Sequence, residues 1–194
     1  LVRPGDNVWD VGANVGVFSV AAAALSLTGQ IVAIEADIWL ASLLSRTARL
    51  PANAAYNITV LPVAAFSTAG VASFAIAARG RASSHLAGIS GNSQAGGVRE
   101  TVEVPTLPLD SLLARYAPPR IIKIDVEGAE VDVLRGMDRI LREIRPVLYC
   151  EVNGQNRENF LSEISRFDYA FRNLDSTDED AGFNAVYFPR EKKI

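Results

Sequence analysis

Apolar residues recur along this chain with two periods, one typical of strands and one typical of helices. Apolar runs of strand length stand at residues 7–11, 30–35, 58–63, 121–126 and 147–152. Segments with helical spacing follow four of these runs, after Gly16 and over residues 38–50, 129–144 and 159–167. This alternation favours an α/β fold with a parallel sheet and helices on both of its faces.

The alternation is interrupted at residues 70–105. Residues 70–77 and 99–105 alternate like exposed strands, and residues 78–97 between them are rich in Gly, Ser and Ala. We expect an inserted hairpin before the fourth strand of the main sheet. Its long tip is either a lid over a site or a surface excursion.

The chain ends in two more predicted strands, at residues 169–174 and 184–189, joined by a short turn-rich stretch. Parallel neighbours need a long crossover, so the last strand is expected to be antiparallel. The prediction is a single domain over residues 1–194, with a mostly parallel, Rossmann-like sheet of seven strands.

Composition narrows the class of protein. The net charge of -3 and the absence of a basic run argue against a nucleic-acid partner. The longest apolar segment, residues 15–27, is shorter than the roughly 20 residues of a membrane span. A single cysteine, Cys150, suits a reducing compartment, so a cytoplasmic protein is expected. Since the chain starts at Leu1, almost on its first strand, we expect that an upstream segment is missing.

The first strand leads into a glycine turn, V-W-D-V-G-A-N-V-G-V-F-S over residues 8–19. Strand, tight turn and helix start follow one another, and the helix start offers unpaired N–H groups to a ligand. The spacing around Gly12 and Gly16 is not the dinucleotide fingerprint Gly-x-Gly-x-x-Gly. Glu35 ends the next strand about 20 residues later, where an acid suits a ribose. These residues resemble motif I and the following acid of class I S-adenosylmethionine-dependent methyltransferases.

Acids also gather at the ends of the fourth and fifth strands, in I-I-K-I-D-V-E-G-A-E and in the stretch that carries Glu151 and Asn153. Ligands of open α/β sheets bind beyond the carboxyl ends of the strands, so these side chains are expected in one crevice. Lys123, within the fourth strand, needs a partner, which is Asp125 or an acid on a neighbouring strand. Asp125 and Glu151 therefore also have a structural interpretation.

Two more acids and the only histidine have competing interpretations. Asp10 could bind the glycine loop or a cofactor, and Glu130 suits the dipole of a first helical turn. His85 lies in the small-residue loop, where it is either solvated or a base delivered by a lid.

Together the motifs resemble the FkbM family of methyltransferases over nearly the whole chain. They are D-V-G-A-N-V-G-V-F-S, I-E-A-D, P-V-A-A-F-S, L-D-S-L-L, K-I-D-V-E-G-A-E and R-P-V-L-Y-C-E-V-N. The resemblance implies the class I methyltransferase fold. It also implies S-adenosylmethionine as cofactor and a hydroxyl oxygen of a glycan or polyketide-type molecule as acceptor. Pro62 departs from the family, in which a polar residue is common at that position.

The same resemblance implies a set of site residues. The turn would receive the methionine part of the cofactor, Glu35 would take the ribose hydroxyls, and the residues after the third strand would flank the adenine. The cofactor residues implied are Asp10, Gly12, Ala13, Asn14, Gly16, Glu35, Ala36, Val63, Ala64 and Asp125. Asp125 or Glu127 would orient the acceptor hydroxyl, with His85 as a possible base.

Three alternatives remain open at the level of sequence. Asp125, Glu151 and Asn153 are oxygen donors that could bind Mg²⁺, although no metal is needed by the preferred interpretation. The fold also serves nicotinamide-dependent reductases, and a non-catalytic nucleoside-binding domain could have kept it.

Overall fold

The computed structural model describes residues 1–79, 84–88, 97–152, 154–174 and 183–191. Its strands are β1 (Val8–Val11), β2 (Ile31–Ile34), β3 (Ile58–Leu61), β4 (Ala64–Ala65), β5 (Gly70–Ala77), β6 (His85–Leu86), β7 (Val98–Leu107), β8 (Ile121–Ile124), β9 (Val147–Val152), β10 (Tyr169–Asn173) and β11 (Phe183–Pro189). Its α-helices are α1 (Val17–Ser26), α2 (Ile38–Ala48), α3 (Glu130–Arg135) and α4 (Arg157–Ser165). Short 3₁₀ segments lie at Leu109–Ala114 and Gly154–Asn156, and a π-helical turn at Ile140–Ile144.

Seven strands form the main sheet, in the order β10-β11-β9-β8-β1-β2-β3. The pairs among β3, β2, β1, β8 and β9 are parallel, and β11 is antiparallel to both β9 and β10. The predicted α/β class and the antiparallel last strand are confirmed. The reversal of connection between β1 and β8 puts a crevice at the carboxyl ends of these two strands.

Both faces of the central strands are buried, which explains their continuous apolar runs. Trp9 and Ile122 belong to the large cluster that includes residues of α3 and α4. Val8 and Ile121 pack with Ala22 and Ala23 of α1 on the other side. Small side chains on α1 let this helix lie close to the sheet.

The interrupted region forms a second sheet, in the order β4-β7-β5-β6. β5 and β7 pair antiparallel, with Phe74 opposite Val102, so the predicted hairpin is confirmed. Phe74, Leu86 and Val104 pack against Ala129, directly before α3. The insertion therefore stands against the carboxyl edge of the main sheet. Part of its tip, residues 80–83 and 89–96, lies outside the described residues.

The helix predicted over residues 129–144 is wrong as one continuous element. α3 ends at Arg135, and at the next residue, Gly136, a side chain would overlap the carbonyl oxygen of Phe66. The Asp110 carboxylate then accepts the N–H groups of Arg139 and Ile140, both at 2.9 Å, and starts a second helical segment. Asp37 caps α2 as expected, accepting from the N–H of Trp39 at 2.9 Å.

Among the described residues, no helix combines the length and the apolarity that crossing a bilayer requires.

Candidate active site

A cavity of about 270 Å³ opens at the carboxyl ends of β1, β2 and β8. The main sheet supplies one part of its wall and the inserted sheet supplies another. Its lining residues are Val11, Gly12, Asn14, Ile34, Glu35, Ala36, Leu40, Val63, Ala64, Ala65, Phe74, Ser84, Leu86, Asp125, Val126, Glu127, Ala129 and Glu151. Apolar side chains and four carboxylates thus meet in one concave site, the usual character of a small-molecule pocket.

The glycine turn approaches the end of β8 more closely than any side chain would allow. Gly12 has a φ of 75°, and a Cβ there would overlap the carbonyl oxygen of Asp125. Its N–H donates to the carbonyl of Ile34 at 2.9 Å, which ties the turn to β2. Gly16, with a φ of 90°, lies against Leu44 of α2. Glycine is needed here for packing as well as for ligand access.

The Glu35 carboxylate lies between the turn and the start of α2. Its two oxygens accept the N–H groups of Asn14 at 2.7 Å and Asp37 at 2.8 Å. Burial raises the pKa of Glu35, and the two hydrogen bonds offset this only in part, so the pKa stays above its ordinary value. A carboxylate has about four acceptor positions, so two remain for a ligand in the cavity.

Lys123 joins three groups beneath the turn. Its Nζ donates to the carbonyl of Gly12 at 2.9 Å and lies 3.1 Å from Asp125 Oδ2 and 3.4 Å from Asp10 Oδ1. The predicted pairing of this lysine is confirmed, with both kinds of partner at once. Burial works to lower the pKa of Lys123, but the two carboxylates outweigh it and raise that pKa, so the lysine stays charged.

Glu127 differs from the other acids of the cavity in its backbone conformation and in its pKa. Its φ is 49°, in the left-handed region that a residue other than glycine rarely adopts. Burial and three neighbouring carboxylates raise the pKa of Glu127 to about 7; the neighbours are Asp125, Glu151 and Glu130. Within the described part of the chain, no hydrogen bond or ion pair engages its carboxyl group. This group can therefore take up or release a proton near neutral pH.

The structure brings most of the predicted site residues to the cavity wall. Those that line it are Gly12, Asn14, Glu35, Ala36, Val63, Ala64, Asp125 and Glu127. Ala13 and Gly16 do not line it, and both pack against Leu44 of α2. Asp10 is fully buried and is not a lining residue; it accepts a hydrogen bond from Ser19 Oγ of α1 at 2.6 Å and reaches the turn only through Lys123.

His85 does not line the cavity, although both of its neighbours do. His85 belongs to the short strand β6, where it pairs with Ala75 of β5. Successive residues of a strand point to opposite faces. Ser84, directly before β6, and Leu86, within it, are therefore the side chains that reach the cavity here. No period in the sequence marks these two side chains, because β6 has only two residues.

The proposed metal ligands are only partly described. Asn153 lies outside the described residues. Over the ranges that the structure describes, no three His, Cys, Asp or Glu side chains are grouped so that they could hold a metal ion.

Strand order and site together define the fold of class I methyltransferases, as expected. A family model, Methyltransferase FkbM domain, matches residues 10–185, and the chain belongs to this family. No curated protein matches the chain.

Solved structures show the same fold. The chain is similar to a methyltransferase FkbM from Methylobacillus flagellatus KT, with a TM-score of 0.68 and 19% identity over 95% of this chain and 44% of that one. It thus spans less than half the length of that protein. It is also similar to precorrin-6y C5,15-methyltransferase from Geobacter metallireducens GS-15, with a TM-score of 0.58 and 14% identity over 96% and 82% of the two chains.

A third similar structure contains the cofactor. It is fibrillarin from Aeropyrum pernix with natively bound S-adenosyl-L-methionine, with a TM-score of 0.58 and 10% identity over 96% of this chain and 67% of that one.

Proposed function

We propose that this chain is an S-adenosylmethionine-dependent methyltransferase that acts on a hydroxyl oxygen. The observation that carries the proposal is the Glu35 carboxylate, which lines the cavity beside the glycine turn and keeps acceptor positions for two further hydrogen bonds. The two hydroxyl groups of a ribose cis-diol can donate these two hydrogen bonds, as they do in other sites of this architecture.

The rest of the wall fits the other parts of the cofactor. Val63, Ala64 and Leu40 give an apolar surface suited to adenine. Asp125 and Glu127 put negative charge on another part of the wall, which suits a sulfonium or an ammonium group. When bound, the cofactor supplies a methyl group already activated for transfer.

The chain's remaining task is to align an acceptor oxygen and take its proton. A pKa of about 7 lets Glu127 accept that proton at neutral pH. Asp125 is held by Lys123 at 3.1 Å and would orient the hydroxyl group. Since His85 does not line the cavity, we assign the proton to Glu127.

The acceptor that we propose is a glycan or a polyketide-type small molecule, in the cytoplasm, without a nucleic-acid or membrane partner. The net charge of -3 and the acidic wall support an uncharged, hydroxyl-rich acceptor over a phosphate-rich one.

Calorimetric titration tests the cofactor. S-adenosylhomocysteine is expected to bind with one site per chain, and NADPH is expected to give no heat. Binding of NADPH alone would instead support a reductase. Binding of neither ligand would contradict both enzyme assignments.

A mass shift tests the acceptor. The protein is incubated with S-adenosylmethionine that carries a deuterated methyl group and with panels of glycans and polyketide-type alcohols, with and without EDTA. We expect labelled product on an oxygen in both conditions. Binding of S-adenosylhomocysteine without any transfer would support a non-catalytic domain, and transfer that EDTA abolishes would support the magnesium alternative.

A further inference from the structure

The turn after β8 holds two consecutive residues in the left-handed region of backbone space. Glu127 has a φ of 49° and Gly128 a φ of 107°. For glycine this conformation is easy, but for glutamate it costs on the order of 1 kcal/mol and persists only where the surroundings enforce it. The residues that enforce it also fix where the Glu127 carboxyl points.

Two side chains bind both polar backbone groups of Gly128. Glu130 Oε1 accepts its N–H at 2.7 Å, and Asn156 Nδ2 donates to its carbonyl at 2.6 Å. Asn156 Nδ2 also donates to Glu130 Oε2 at 2.8 Å, which closes the arrangement. We refer to Glu130 and Asn156 as the clamp.

The clamp joins the loop after β8 to the loop after β9, which are far apart in the sequence. Glu130 is 1% exposed in the first turn of α3, whereas Asn156 ends the 3₁₀ segment that follows β9. Neither residue is part of the cavity lining, whereas Glu127 is.

We propose that Glu130 and Asn156 are positioning residues that hold the Glu127 carboxyl toward the methyl-transfer centre. The inference rests on the proposed function and deepens it. Neither clamp residue lines the cavity, so each acts through Glu127 and is not expected to touch the cofactor or the acceptor.

A pair of cofactor analogues reports the position of Glu127 without any acceptor. Sinefungin carries a charged amine where the cofactor carries its methylated sulfonium, and S-adenosylhomocysteine is neutral at that point. An ionised Glu127 that faces this centre raises the affinity for sinefungin and leaves the affinity for S-adenosylhomocysteine nearly unchanged. The change in the ratio of the two dissociation constants when Glu127 is replaced therefore measures this one contact, apart from the contributions of Asp125 and Glu151.

The experiment measures that ratio by calorimetry, well above the pKa of Glu127, in the wild type and in four variants. They are Glu127→Gln, Asn156→Ala, the double variant of these two, and Glu130→Gln, which keeps one acceptor oxygen but loses the partner of Asn156. We expect Glu127→Gln to lower the preference for sinefungin about fivefold, a size suited to a half-exposed charge. Asn156→Ala and Glu130→Gln should lower it about threefold, and the double variant no further than Glu127→Gln alone.

Asn53→Ala is the matched control. Asn53 Nδ2 also donates to a backbone carbonyl, that of Thr47 at 2.9 Å, and neither residue lines the cavity. Asn53→Ala should lower the melting temperature in thermal unfolding. It should leave the ratio of the dissociation constants for S-adenosylhomocysteine and sinefungin at the wild-type value.

Three results would overturn the inference. An unchanged ratio in both folded clamp variants would show that the clamp does not position Glu127, and an unchanged ratio in Glu127→Gln would show that this carboxyl does not face the centre. A further loss in the double variant would show that Asn156 acts independently of Glu127. If the wild type binds neither analogue, the proposed function itself fails, and this inference fails with it.

Discussion

The two sides of the cavity are built in opposite ways. On the glycine side, Gly12 and Asn14 of the turn and Glu35 after β2 pack closely, and the Glu35 oxygens each accept a backbone N–H. On the acidic side, Glu127 is half-buried in a left-handed backbone, among carboxylates that raise its pKa. The first side is suited to the shape of a ligand and the second to charge and proton transfer.

Lys123 is the connection between these sides. It donates a hydrogen bond to the carbonyl of Gly12 and pairs with Asp125, so it contacts both sides. The following experiments separate the two sides, in order of the size of the effect that we expect.

The glycine side depends on backbone approach, which Gly12→Ala would prevent. The new Cβ overlaps the carbonyl of Asp125 and forces an unfavourable φ, so we expect a loss of ~4 kcal/mol or more in the free energy of unfolding. Urea denaturation measures it. Gly88→Ala is the control, because Gly88 has a φ of 85° and open space around it, and should lose only about 1 kcal/mol. Equal losses would contradict the close approach.

The connection depends on a buried charge. Lys123→Met leaves Asp10 buried without its cation, and we expect a loss of ~3 kcal/mol in the free energy of unfolding. Adding Asp10→Asn should recover part of that loss. Arg120→Met, at the more accessible pair with Asp6 just before the same strand, should cost less, about 1 kcal/mol. A similar small loss for Lys123→Met would show that the two sides are not joined through this residue.

The acidic side depends on the proton of Glu127. Its pKa is about 7 in the fold against an ordinary 4.5, so the fold holds this proton more tightly than the unfolded chain does. The stability it contributes is fully present below pH 4.5 and is lost as the pH rises through about 7. The carboxylates that face this group are those of Asp125, Glu151 and Glu130. Each of them also raises the pKa of Glu127, so none of them reverses the direction of this pH dependence.

Urea denaturation between about pH 4.5 and about pH 8 tests this sign. We expect the wild type to lose ~1 kcal/mol more than Glu127→Gln over this range, a figure reduced for solvent screening of the half-exposed group. Glu163→Gln is the control, because Arg166 and Arg135 lower the pKa of Glu163. The stability that Glu163 contributes is lost only as the pH falls below about 4.5, so the profile of this variant should follow that of the wild type over the range tested. Parallel pH profiles of wild type and Glu127→Gln would rule out the perturbed proton.

The glycine side could be predicted from sequence because its signals are local. The turn, Glu35 and the cap Asp37 all lie within one strand–helix–strand unit, and their spacing reflects contacts within that unit. The need of Lys123 for a partner was also visible, since a charge in a central strand cannot remain alone.

The features that sequence did not reveal depend on distant contacts. Asn156 bonds Gly128, which is 28 residues away, and no period in the sequence marks such a pair. The break after α3 depends likewise on Phe66 and Asp110, far upstream of Gly136. His85 could not be placed, because the strand β6 that turns it from the cavity has only two residues.

The most direct test compares Glu35→Gln with Asp37→Asn in a titration with S-adenosylhomocysteine. Each variant removes one negative charge, and the two positions are two residues apart in the sequence. Of the two side chains, only that of Glu35 lines the cavity. We expect Glu35→Gln to weaken binding about tenfold or more, the loss of a hydrogen-bonded charge, and Asp37→Asn to stay within about twofold of the wild type. Equal affinities in the two variants would contradict a nucleoside bound by Glu35.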